Sequence, residues 1–118
     1  MMNLIVGAIV AAALLFALQP PQKGQDLFAR RCSGCHALDI NKEGPRLRGV
    51  YGRRAAALAD FGYSDSLKNA GLTWDAVTLD RWLTDPDKIA AGTGMAFRVI
   101  DETERKAIIE YLKTLSEN

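Results

Sequence analysis

The chain has 118 residues, 48% of them hydrophobic and 25% charged, with a formal net charge of +1. That length allows one small domain. The near-neutral balance excludes the basic field that would recruit nucleic acid, and no internal repeat or low-complexity stretch is visible.

The first predicted element is an apolar run, LIVGAIVAAALLFAL, unbroken from Leu4 to Leu18. It has the length of the apolar part of a secretory signal and is short for a membrane span. The preceding MMN carries no Lys or Arg. Ala17-Leu18-Gln19 lacks a small residue at the cleavage position, and Pro20 and Pro21 follow at once. Residues 1–21 therefore read as an export signal or an N-terminal membrane anchor. A buried core helix is the bland alternative. Residues 22–118 are the folded domain, expected outside the cytoplasmic membrane, in the periplasm.

The next stretch, GQDLFARR from Gly24 to Arg31, reads as a helix with Leu27 and Phe28 on its apolar side. Gly24 and Phe28 are four apart and share a face. Gly24 lets a second helix approach closely.

CSGCH follows, Cys32 to His36, holding both cysteines and the only histidine of the chain. This spacing reads as covalent haem attachment, with each sulfur added to one vinyl group and the histidine beneath the iron. Two rivals stand beside it. A thioredoxin-like redox pair expects a strand–turn–helix frame. A structural zinc site wants four ligands, and Cys32, Cys35 and His36 supply three. Export favours haem, because a bare Cys pair outside the cytoplasm tends towards a disulfide. A domain this short buries a modest core. A porphyrin would enlarge that core, leaving the protein without haem largely unfolded.

From Ala37 to Ala59 the chain is loop-like, with Gly44, Pro45, Gly49 and Gly52 as breakers. Tyr63 to Ala70 reads as a short helix ended by Gly71. Trp74 to Thr84 reads as a better one, capped by Asp75 and closed by Pro86. The last helix starts at a D-x-x-E signal, Asp101 with Glu104. Its apolar stripe is Ile108, Tyr111, Leu112 and Leu115. The first helix is its expected partner, with Tyr111 near Gly24 and Phe28. No stretch alternates like a strand, so the class is all-α.

An iron held by His36 needs a sixth ligand or an open position. A second histidine does not exist here. The candidates are methionine, lysine, water or nothing. Met1 and Met2 fall in the export segment, and Met95 lies in AAGTGMAF, a Gly-flanked loop. As a lone methionine it could also be core filler. A His/Met pair would raise the potential relative to two histidines and suit outer-sphere electron transfer.

The ordered set GQDLFARRCSGCH, GPRLRGVYGR, FGYSDSLKNAGLTW, LDRWLTDP, GTGMAF and EYLKTL resembles class I cytochrome c of bacterial type, over Gly24 to Leu115. The resemblance implies the cytochrome c fold, a small helical domain wrapped around one haem with its N- and C-terminal helices packed together. It implies one haem c linked through Cys32 and Cys35, with His36 and Met95 axial. The Pro45 carbonyl would accept the other ring N–H of His36. Arg53, Tyr63 and Trp74 would hold a propionate. Thr93 would cover the haem near Met95, and Phe97 would shield its edge. Trp82 stands where the family commonly has a tyrosine bonded to the methionine sulfur; its indole either replaces that bond or leaves the sulfur unbonded. Ala91 replaces a usual proline before the methionine loop, and Leu67 a polar residue.

The implied function is single-electron shuttling by a monomer, which is not itself an enzyme. Its implied partners are redox proteins such as a cytochrome bc-type complex and a terminal oxidase or reaction centre. Only part of the family's basic docking ring is kept, in Arg31 and Lys88. Gly94 takes a usual lysine position, and Asp87, Asp101 and Glu102 dilute the charge, so long-range steering is weak. A membrane tether through residues 4–18 would make steering less necessary. Two rival functions are a fixed haem subunit of a larger membrane oxidase or dehydrogenase, and a haem catalyst or ligand-binding protein with a displaceable methionine.

Overall fold

A computed structural model describes residues 20–116. Among them the chain forms five α-helices: α1 Pro20–Arg31, α2 Asp65–Lys68, α3 Ala76–Thr84, α4 Pro86–Ile89 and α5 Glu102–Thr114. The described residues contain no strand, only an isolated antiparallel bridge between Arg54 and Thr73. None of the described helices is long and apolar enough to cross a membrane. The apolar run 4–18 lies outside the described residues.

α1 begins at Pro20, four residues before the stretch that reads as helical in sequence. Proline is tolerated in a first helical turn, where the missing N–H would have had no partner. Gly24, Leu27 and Phe28 are buried along one face. That face packs on α5, where Ala107, Ile108, Ile109, Tyr111 and Leu112 are buried. A Cβ on Gly24 would stand 2.0 Å from the Ala107 carbonyl oxygen and 2.7 Å from Tyr111 Cβ. Glycine is thus the residue that lets the two backbones touch. Phe28 and Tyr111 pack at 5.6 Å with tilted rings. At the far end of α1, Arg31 meets Glu104 at 3.1 Å.

The N-terminus of α5 departs from the expected reciprocal box. Asp101 accepts from the Glu104 amide at 2.9 Å, but the Glu104 carboxylate is turned to Arg31. α3 starts at Ala76, two residues later than its sequence pattern, because Asp75 accepts from the amides of Val77 and Thr78 at 2.9 Å each. Thr78 closes a full capping box on the Asp75 amide at 2.8 Å. Pro86 ends α3 and also opens the single turn of α4.

The long irregular segment is pinned rather than loose. Leu47 and Arg48 donate to the carbonyls of Ala37 and Leu38, both at 3.0 Å, and Gly49 donates to Leu115 at 3.1 Å. Arg46 pairs with Asp60 and Arg48 with Asp39, each at 2.7 Å. Beyond it, Gly52 donates to the Trp74 carbonyl at 2.7 Å and Trp74 donates to Arg53 at 2.9 Å. This clasp fixes Arg53 and Trp74 beside each other before α3 begins.

Candidate cofactor site

The interior surfaces of α1, α3, α5 and the connecting loops enclose a cleft of about 410 Å³, a size typical of a bound cofactor. Cys32, Cys35, His36, Pro45, Arg53, Tyr63, Trp74, Thr93, Met95 and Phe97, all singled out in the sequence, line this one cleft. They come from stretches spread between residues 32 and 97 of the chain. The rest of the lining is largely apolar, including Phe28, Leu47, Val50, Leu79, Ile108 and Leu112.

The Cys32–His36 turn grows out of the end of α1. The Cys32 and Ser33 amides both donate to Phe28, at 2.8 and 3.1 Å, and His36 donates to Cys32 at 2.9 Å. One loop residue then sets the imidazole. A Cβ on Gly44 would lie 2.2 Å from His36 Cε1 and 2.6 Å from Nδ1. With glycine there, Pro45 can accept from His36 Nδ1 at 2.8 Å. That bond selects the tautomer and leaves Nε2 as the nitrogen able to bind a metal. Burial lowers the His36 pKa, and the Pro45 bond opposes that shift only in part. The ring is therefore held neutral, the form a metal requires.

Burial pushes the Cys32 thiol up to about 11. Cys35 is raised too, first by its hydrogen bond to Glu43 at 3.4 Å. Both sulfurs are free of disulfide bonding.

Met95 enters the cleft from the loop after α4. Its sulfur accepts from the Trp82 indole Nε1 at 3.1 Å. Of the two arrangements the sequence left open, the structure has the bonded one. Trp82 is itself buried against Trp74, edge to face at 5.3 Å. The loop that lacks the usual proline is restrained otherwise: the Gly92 amide donates to Asp87 Oδ1 at 2.8 Å, and Thr93 donates to Ala90 at 3.0 Å.

The polar heads around the cleft are anchored by backbone. Arg53 Nη2 donates to the Arg46 carbonyl at 3.0 Å. The Tyr63 hydroxyl accepts from the Leu58 amide at 3.3 Å, and an accepting hydroxyl keeps its own proton for donation. Phe97 is 43% exposed at the mouth of the cleft.

This donor set fits a haem. Two thiols, an oriented neutral imidazole and a thioether line one largely apolar cleft with cationic and phenolic heads nearby. It does not fit the rivals. Among the described residues, no three His, Cys, Asp or Glu side chains gather as a metal group, and no strand frames the Cys pair.

Sequence reasoning missed Glu43, Asp87 and Arg105. The first two are single charged residues, Glu43 in a loop and Asp87 in the short turn of α4, whose targets, a thiol and a backbone amide, leave no periodic trace in sequence. Arg105 belongs to no motif in the sequence, yet its side chain is only 11% exposed.

Comparison with known proteins adds a consistent picture. The family model for cytochrome c matches residues 21–116. Cytochrome c2 iso-2 of Magnetospirillum molischianum is 44% identical over 87 residues, 71% of this chain and 90% of the relative. Cytochrome c2 of Rhodomicrobium vannielii is 35% identical over 115 residues, 94% of this chain and 91% of the relative. Among solved structures, cytochrome cH from Methylobacterium extorquens superposes with a TM-score of 0.75 at 44% identity, covering 80% of this chain and 97% of that one.

Proposed function

The chain belongs to the cytochrome c family, and from that premise we propose that it shuttles single electrons through a haem held between His36 and Met95. Its cofactor is one haem c, linked through Cys32 and Cys35. When bound, the haem supplies a one-electron ferric/ferrous couple.

The protein's part is to bind, orient and insulate. Pro45 fixes the imidazole and strengthens its donation. Trp82 aims the Met95 sulfur and keeps its lone pair partly engaged. With His36 and Met95 both placed to hold the group, little geometry would have to rearrange when one electron moves. The apolar lining excludes water and raises the cost of the ferric charge. Arg53, Tyr63 and Trp74 are suited to hold a propionate, Thr93 to cover the group near Met95, and Phe97 to shield its edge.

The observation that carries this reading is the double restraint of the two axial candidates. His36 is bonded to Pro45 at 2.8 Å and Met95 to Trp82 at 3.1 Å, in one cleft. A methionine already held by an indole and a loop tied by Asp87 favour a permanent ligand over a displaceable one. Carriage therefore outweighs catalysis.

Residues 4–18 support export, so the working place is the periplasm, with electrons exchanged between a cytochrome bc-type complex and a terminal oxidase or reaction centre. Residues 1–21 serve as signal or anchor, and the domain proper is 22–118.

The ferric protein, made in a host that attaches haem c, should show the weak red absorption of methionine sulfur on iron. Met95→Ala should abolish it and lower the potential by on the order of 100 mV, at 59 mV per tenfold change for one electron. An unchanged potential and spectrum would remove Met95 from the mechanism.

A further inference from the structure

The loop between Ala90 and Asp101 carries Met95 and contains no helix. Its two ends are held by different devices. The front is tied by Asp87 through the Gly92 amide. The rear is tied by Arg105, a residue of α5 that does not line the cleft. Arg105 Nη1 donates to the carbonyls of Val99 at 3.0 Å and Ile100 at 2.8 Å. Its Nε donates to Asp80 Oδ1 on α3 at 2.8 Å. Val99 is fully buried, and its amide donates to the Leu83 carbonyl at 2.8 Å.

α3 thus grips the loop at both places that matter. Asp80 holds the rear stem through Arg105, and Trp82, two residues on, holds the tip through the Met95 sulfur. A guanidinium suits the stem because its planar fork offers five donors in fixed directions, whereas an ammonium is a point charge. Val99 lies only four residues beyond Met95. Pinning it leaves the tip few conformations. Without Arg105 the Val99 and Ile100 carbonyls lose their clamp, and the bond from the Val99 amide to Leu83 is left to hold the stem.

We propose that Arg105 is a positioning residue for Met95: by clamping the 99–100 backbone to Asp80 it sets how often the sulfur leaves the cleft. The inference rests on Met95 as the sixth ligand.

The test uses full-length ferric protein with its haem attached. Imidazole is the probe, because at saturation its binding rate is limited by departure of the methionine. Arg105→Gln should raise that limiting rate about tenfold, the scale of one lost charge-assisted hydrogen bond. Arg105→Lys should fall between. Exchange of the Val99 amide should quicken in parallel, a readout independent of the iron. Ile109→Val, a buried change on the same helix outside the cleft, supplies the control for general loss of stability. It should leave the imidazole rate near that of the parent protein.

An unchanged rate in Arg105→Gln overturns the proposal. So does a rise no larger than that of Ile109→Val at matched loss of melting temperature. If Arg105→Gln does not fold, Asp80→Ala removes the acceptor at the other end of the clamp, and an unchanged rate there overturns the proposal equally. The parent spectrum separates two failures. Without the red band, Met95 is not a ligand, and both readings fall. With the band present and the rates unchanged, only Arg105 loses its role.

Discussion

At the scale of single residues, the site depends on neighbours that impose one orientation. Gly44 is small so that His36 can reach Pro45, and Trp82 is polar at one atom so that Met95 has a fixed sulfur. If the Met95 sulfur binds iron as proposed, a hydrogen bond to it would draw density away from the iron and disfavour the ferric state. Trp82→Phe removes that donor and should lower the reduction potential by about 20–40 mV, equivalent to roughly 0.5–1 kcal/mol. Trp82→Tyr, whose hydroxyl can donate, should recover part of the shift. Voltammetry of the three proteins decides it, and equal potentials would mean the indole only fills space.

At the scale of elements, the α1–α5 crossing is the joint that turns the attachment turn towards the rest of the cleft. Its closeness comes from Gly24, and its ends are set by the Phe28–Tyr111 contact and the Arg31–Glu104 pair. Gly24→Ala would place a methyl 2.0 Å from a backbone oxygen. Backbone cannot rotate away as a side chain can, so the helices must separate. The expected loss is about 3 kcal/mol, a drop of about 15 °C in melting temperature for a domain of this size. A scanning calorimetry trace within a few degrees of the parent would show that the crossing has slack. The Arg31–Glu104 pair also bears on docking. It offsets the charge of Arg31, one of the basic residues at the edge of the cleft.

For the whole molecule, the core is arranged around the cleft rather than beside it. The cleft is lined largely by apolar side chains that a porphyrin would cover, and a domain this small has little stability to lose. The double variant Cys32→Ala, Cys35→Ala, which cannot attach haem, should therefore lack a cooperative thermal transition by circular dichroism. A sharp transition at the parent temperature would mean the helices need no haem. Acid should act through the loop clasps and the cap of α3. Hydrogen bonds from Arg48, Arg46 and the Thr78 amide hold Asp39, Asp60 and Asp75 below the ordinary carboxylate value of 3.8. Their stabilisation is present above 3.8 and is lost as pH falls through the lowered folded-state values. Melting temperature should thus decline below that pH, and Arg46→Gln with Arg48→Gln should flatten the decline. An identical slope in the variant would place the acid sensitivity elsewhere.

The local facts were legible in the sequence because they are carried by neighbours along the chain. CSGCH states its chemistry in five consecutive residues, the Asp75 and Asp101 caps act within three residues, and the stripe on α5 repeats with the helix. The gathering of ten candidate residues into one cleft was legible only through the ordered family motifs, since nothing in spacing alone brings residue 36 to residue 95. Tertiary structure decided the rest. The bond from Trp82 to Met95 spans 13 positions, that from Arg31 to Glu104 spans 73, and the Arg105 clamp joins α5 to α3 across 25. Such contacts depend on where helices cross and which rotamers that crossing permits. An arginine or an indole N–H has many potential partners in a sequence, and packing selects among them.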